Sequence, residues 1–438
     1  MSSATTPAHF NFAEARRING AIAGAGRGII AGLATLAVAV MFLVSAMVLY
    51  ALGISYESSG GTVLEKVHPG SWIVFATFAL SMVFSGNPAR FLDRVAARQP
   101  GMLAFFVTWL VLLAQCILVQ KSPFTPLIDT FLMPMALLVL LRALGESDKR
   151  RIALLIHAVF AANALLGLYE FLFSYRLTPY VAGTLLVTDD WRSTALFGHP
   201  LANAILTGSY VVALCAGGGR ELPGVLRVAT IAMQMLAMIA FGGRSSLVIM
   251  LPFVAVAALG GTRRFLEGGA RITLPQAALA ALALPALIGA LLFAAQGGFF
   301  DQLLLRFEED NGSAKARLIM LHLFEVVPLQ DLVLGPDQAW IGSLQRLDGI
   351  ETGLESFWLA MILTYGGIVA VIFFGGLFAF CRDLVAATRP GSFQVLLFFF
   401  AVASTSVSLS AKTHVFGMIV AIMLTLLRPA RNAETVAG

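Results

Sequence analysis

Long apolar runs separated by short polar ones follow one another along nearly the whole chain. Many reach about 17–25 residues, the length a helix needs to cross about 30 Å of hydrocarbon. Lipid offers the backbone no hydrogen-bond partner, so such runs are expected to be helices. The pattern predicts twelve spans: 28–53, 71–86, 101–119, 127–145, 152–173, 200–216, 225–241, 244–260, 274–296, 355–380, 392–410 and 413–427. The expected fold class is therefore all-α integral membrane, a bundle of about 12 transmembrane helices. The polar remainder divides the chain into a tail (1–27), nine spans (28–296) containing a long connection at 174–199, a large loop (297–354), three spans (355–427) and a second tail (428–438). Within the large loop, Ser313 followed by AKARLIMLHLFEVV and stopped by Pro328 predicts a short helix. Its Ala316, Met320, Leu321 and Phe324 recur at helical spacing, as in a helix lying on a membrane surface.

Composition agrees with this pattern. The 438 residues are 58% hydrophobic and only 12% charged, which excludes a soluble domain and a nucleic-acid-binding surface. The three cysteines, Cys116, Cys215 and Cys381, fall inside or at the ends of apolar runs and read as packing residues, with no metal or disulfide framework. Val44-Ser45-Ala46 has the form of a cleavage site, but the apolar stretch continues past it, so an uncleaved first helix is expected.

Charge then sets the topology. With the N-terminus inside, alternate segments collect nineteen of the 29 basic residues, and each inside segment holds at least two. The positive-inside rule places both termini in the cytoplasm. Most acids fall on the outer face, where the two longest connections also lie. Long connections in a tight bundle are where function is to be sought.

Three spans, starting at 200, 244 and 355, then present their N-termini to that outer face. Each start carries unpaired N–H groups and the positive end of a helix dipole. Arg192 with His199-Pro200, Arg244 in the turn MIAFGGRSSLVIM, and Glu355 stand at or just before these starts. Arginines beside helix N-termini form a site for a phosphate or pyrophosphate, and a nearby carboxylate is a candidate proton acceptor. Asp189 and Asp190 are a turn pairing with Arg192 or a reserve base. His199 doubles as a helix cap and Asn203 as a hydrogen-bonding residue within the bundle. Arg317 and His322 lie on the outer-loop helix, Lys412 and His414 open the last span as further anion contacts, and Glu170 needs a partner at the end of its span.

The strings RSTALFGHPLANA (192–204), GGRSSLV (242–248), KARLIMLHLFEVVPLQDLVLGPDQAW (315–340) and ESFWLAMILTYGG (355–367) follow one another in a set order. Over roughly residues 150–380 the chain thereby resembles the O-antigen ligase and Wzy-type polysaccharide polymerase superfamily. The resemblance implies a GT-C-like bundle in the bacterial inner membrane with one large periplasmic loop. It also implies transfer of a glycan from undecaprenyl pyrophosphate to an acceptor hydroxyl, inverting and without metal or cofactor, with Arg192 and Arg244 on the pyrophosphate. Ligases place a histidine where this chain has Glu355, so a polymerase joining lipid-linked repeat units is expected over a ligase. Glu355, Arg192 and Arg244 form the expected catalytic set. Arg317, His199, Asn203, Asp189, Asp190, Lys412, His414 and His322 are expected around the substrate. The expected partners are the lipid-linked oligosaccharide, a chain-length regulator and export proteins. The alternatives are an O-antigen ligase with another acceptor, or a transporter or flippase of lipid-linked oligosaccharide.

Overall fold

The computed structural model describes residues 24–429 apart from 58–59, 178, 183–184, 189, 269–295, 297–299, 302–303, 306–312, 348–354 and 408. The chain is an α-helical membrane protein. Its first helices are α1 (Gly24–Leu43), α2 (Ala46–Ala51), α3 (Pro69–Phe84) and α4 (Pro88–Arg98). Two longer helices follow, α5 (Pro100–Val119) and α6 (Thr125–Ala143), each containing one π-helical turn, at Gln115–Val119 and Ile128–Leu132. After α7 (Glu146–Phe173) comes a short antiparallel hairpin of β1 (Val181–Ala182) and β2 (Leu185–Leu186), with Val181 opposite Leu186. Then come α8 (Pro200–Cys215), α9 (Gly224–Phe241) and α10 (Arg244–Leu266). The large loop carries α11 (Ser313–Val326), α12 (Leu329–Leu334) and α13 (Gln338–Leu347). The last helices are α14 (Phe357–Tyr365), α15 (Gly367–Ala386), α16 (Phe393–Ala403) and α17 (Val415–Leu426).

Among the described residues seven helices are long and apolar enough to cross a bilayer, namely α1, α5, α6, α7, α9, α10 and α15. Counting the bent pair α3–α4 as one span makes eight, and α8, α16 and α17 are apolar but shorter. Apart from residue 296, the expected span 274–296 lies outside the described residues. The short helices sit in the core. Every residue of α17 is buried, and α8 packs on α9, α10, α16 and α17. A helix that is apolar all round and surrounded by others is satisfied by protein contacts at any length. By contrast α10 buries little beyond Ser246 and Met250 and exposes Val248, Leu251, Val256 and Leu259, as a lipid-facing helix does.

Three expectations from the sequence need correcting. The first span breaks after Leu43, and Ser45 accepts the Val48 N–H at 3.4 Å to start α2. The expected span 355–380 breaks at Gly366, whose φ is +88° and whose backbone meets that of Gly335 so closely that a Cβ would lie 2.5 Å from its nitrogen. The carbonyls of Leu363 and Thr364 released by this break each accept from Gln338 Nε2 at 3.1 Å, and Gln120 donates to Thr364 as well. Finally, among its described residues the large loop holds α12 and α13 besides the expected helix, and α11 packs on protein. Its buried stripe, Met320 and Leu323 continued by Val327 just past its end, is set against Ile341, Ala360 and Leu363. Leu321, on the stripe expected to lie on the membrane surface, is 53% exposed and stands off the line that meets protein.

Candidate functional site

The break after α1 organises one end of the bundle. His68, the cap of α3, accepts the Gly70 N–H on Nδ1, so its Nε2 carries the proton and donates to Val44 O at 2.6 Å. The backbone at Gly198, just before α8, packs on Ser45 and Met47. The ring of His414, which precedes α17, stacks on His68 with centroids 4.2 Å apart. The turn before α10 packs its Gly243 on Ala204 of α8. Four helix starts, those of α3, α8, α10 and α17, therefore gather here.

Arg192 reaches this turn. Gly242 ends α9 in the left-handed region at φ +63°, and a Cβ there would lie 2.8 Å from Cγ and Cδ of Arg192. Glycine alone lets the arginine stem lie across the turn that opens α10, and Ser193 N–H also donates to Ala240 O at 3.0 Å. Arg244 is the first residue of α10 and is half-buried, and Gly243 before it has no side chain with which to cap the helix. The Arg192 stem thus lies beside the turn that Arg244 follows.

Arg192 is not an idle cation. Its Nε donates to Asp190 Oδ1 and Oδ2 at 3.0 and 2.7 Å, its backbone N–H to Oδ1 at 2.9 Å, and its Nη2 pairs with the same carboxylate. Burial favours the neutral guanidinium, but the bonds and charge of Asp190, with Tyr180 adding to them, outweigh this and hold Arg192 above its usual pKa. Arg176 ties the preceding hairpin down, donating to Val187 O at 2.9 Å and to Arg192 O at 3.3 Å.

Glu170 fixes the segment that follows. Its buried carboxylate accepts from Ser193 Oγ at 2.5 Å, from the N–H groups of Thr194 and Ala195 at 3.0 and 2.8 Å, and from Leu177 N–H at 3.0 Å. The partner that a carboxylate near the end of α7 requires is this loop. His199 caps α8 by accepting the Leu201 N–H at 3.1 Å on Nδ1, with the Tyr180 ring edge-on at 5.2 Å. Burial, with the charge of Arg192 adding to it, lowers the His199 pKa to about 4, so the ring is neutral. Asn203 donates to Thr194 O and His199 O at 2.6 and 3.0 Å. Both residues are thereby engaged in shaping the 192–199 loop.

On the other side of the α1 break lies a second cluster. Asp129, on the π-turn of α6, is fully buried and accepts from Tyr56 OH at 2.9 Å and from His68 N–H at 3.1 and 3.2 Å. Lys412 donates to Tyr56 O at 2.7 Å and sits 3.6 Å from the centre of the Tyr56 ring. Burial lowers the Lys412 pKa to about 8 against the pull of Asp129 and Glu57. Thr413 N–H donates to Thr130 Oγ1 at 3.2 Å, and a cleft beside it is lined by Thr130, Phe131, Met361, Thr364 and Ser410. Lys412 and His414 were expected as anion contacts; here they face carboxylates and rings instead. Sequence reasoning missed Tyr56, His68 and Asp129, although a lone aspartate inside an apolar run was a legible signal.

The remaining candidates lie on other elements. Glu355 is half-buried one residue before Ser356, the cap of α14. Nearby, the α14 side chain Trp358 donates to Ser404 Oγ at 2.6 Å, and Phe357 packs on Phe131. His322 is exposed on α11 and bonds Glu325 at 3.2 Å, away from this end's cluster of bonds. Arg317 is carried on α11, and Asp189 lies outside the described residues. No group of three or more potential metal ligands occurs among the described residues. Set against protein-family models and curated proteins, the chain matches none.

Proposed function

We propose that the chain is a polysaccharide polymerase, a GT-C-type membrane glycosyltransferase acting on lipid-linked repeat units. In this reading the α1 break and the large loop face the periplasm, twelve spans cross the bacterial inner membrane, and both termini are cytoplasmic. A chain-length regulator and export proteins are its partners.

The observation that carries the reading is the stem of Arg192 lying across the glycine turn that opens α10 at Arg244. In this reading both guanidinium groups and the first turn of α10 act on one small volume. Such a set stabilises the charge that builds on a departing undecaprenyl pyrophosphate. Asp190 holds Arg192 in place at rest, and the diphosphate replaces it as the partner. The acceptor hydroxyl attacks the anomeric carbon, the bond to the pyrophosphate breaks with inversion, and the hydroxyl proton passes to Glu355. Buried His199 and Asn203 keep the arginine loop in shape.

Arg244→Ala is expected to cut polymer formation about a hundredfold or more while the protein remains in the membrane. Polymer of normal length and amount from that variant overturns the reading. A transporter or flippase is the second reading, favoured by the broken helix at Gly366 and by the buried Asp129 within α6. The two separate in a deletion strain. Loss of a polymerase leaves single repeat units facing outward, whereas loss of a flippase traps them inside.

A further inference from the structure

Helix α4, PARFLDRVAAR, turns 113° from α3 and leads directly into α5. It therefore runs across the end of the bundle instead of through it. Its two faces differ in kind. Phe91 and Val95, four residues apart, are buried against Val139 and packed on by Phe78, Met82 and Met102. Arg90 and Arg94 recur at the same spacing, with Arg94 Nε donating to Arg90 O at 3.0 Å, and Leu92 is 47% exposed. An open polar cleft at the elbow is lined by Ser85, Asn87, Arg90, Asp93 and Arg94.

The basic residues continue beyond the helix. Arg98 lies within electrostatic reach of Arg142, Arg142 of Lys149, and Lys149 of Arg428. This line of cations crosses the end of the bundle opposite Asp129, which sits thirteen residues before Arg142 on the same helix, about 20 Å away. Acids answer the far part of this line: Glu146 pairs with Lys149 at 4.0 Å and with Arg428 at 3.5 Å, and Glu221 pairs with Arg428. Asp383 accepts the Met102 N–H at 3.0 Å, and on α4 itself Asp93 stands against Arg90, Arg94 and Arg98.

We propose that α4 is an interfacial helix that docks on the phosphate headgroups of an anionic lipid leaflet. Arg90, Arg94 and Arg98 meet the phosphates, and Leu92 enters the acyl boundary. Charge complementarity selects this occupant. A helix continuous with membrane-spanning neighbours, cationic along one stripe and apolar along the other, finds its counter-charge in the adjacent leaflet. The proposal does not depend on the polymerase reading.

The test uses the full-length protein in mixed micelles of phosphatidylglycerol and phosphatidylcholine, with retained lipid counted by mass spectrometry. The wild type is expected to prefer phosphatidylglycerol. Arg90→Gln with Arg94→Gln is expected to lower that preference about fivefold per arginine removed. Lys121→Gln, which removes one charge in the exposed α5–α6 connection at the other end of α6, is expected to leave the preference unchanged, against the about fivefold expected for each arginine. An undiminished preference in the double variant overturns the proposal, as does a loss of about fivefold in Lys121→Gln. Should the double variant fail to fold, the wild-type preference must still fall as salt is raised; a salt-independent preference overturns the proposal equally.

Discussion

The two polar clusters flanking the α1 break are built in opposite ways. Around Arg192 the partners are near in sequence: Asp190 is two residues away, and Glu170 reaches back from positions 23 to 25 residues earlier. Around Asp129 they are remote. His68 and Tyr56 come from 61 and 73 residues away, and Lys412 meets Tyr56 across 356 residues. The first cluster is a local loop whose shape is preset around an arginine paired with Asp190. The second ties distant segments together, so its buried charges serve the assembly of the bundle. A change in the first is expected to impair activity, and a change in the second to loosen the fold.

The strongest way to break this contrast is Asp129→Ala. It leaves Tyr56 OH and the His68 N–H without their acceptor in a buried site, and about 3–5 kcal/mol of stability is expected to be lost. Thermal unfolding in detergent checks this, and an unchanged midpoint would merge the two clusters into one kind.

Acid gives the next largest effect. Burial lowers the pKa of His68 to about 4, and His199 is held equally low. Both are neutral in the fold where the unfolded chain, titrating near its ordinary value, already binds a proton. Stability is therefore complete above about pH 6.5 and falls as pH drops through that value toward about 4, by about 2–3 kcal/mol for His68. Unfolding midpoints measured across this window are expected to decline steadily; a flat profile would show that neither ring is held neutral.

Glu170→Gln sharpens the comparison from the other side. The amide keeps one acceptor but loses the charge that gathers four donors, so a cost of about 1.5–2 kcal/mol is expected. Polymer formation is expected to drop by more than that stability change explains, since Arg192 loses its preset loop. His322→Ala, on the exposed face of α11, is expected to stay within about 0.5 kcal/mol of wild type with unaltered polymer, which unfolding and product analysis would check together.

Much of this was legible from residue order. The apolar runs of α5 to α10 and the capping role of His199 before Pro200 follow from short-range rules of span length, helix starts and turn chemistry. The meeting of Arg192 with the Gly242-Gly243-Arg244 turn, by contrast, joins separate segments and needs the fold. Asp129 stood out inside its apolar run, but its partners were not legible, because nothing near it in sequence hints at Tyr56 or Lys412. Nor was the break at Gly366, where ESFWLAMILTYGG reads as one span and only Gln338, Gln120 and Gly335 from elsewhere release the helix.

Residue order by itself determined that this chain is a bundle of membrane-crossing helices with arginines placed at helix starts. Hydrophobic length and local backbone rules act within one segment and need no neighbour. The packing decided which helices are enclosed and which face lipid, which helices break, and which cations are already paired. Those outcomes depend on carboxylates, carbonyls and glycine backbones brought together from segments hundreds of residues apart, where only the folded contacts set burial and charge.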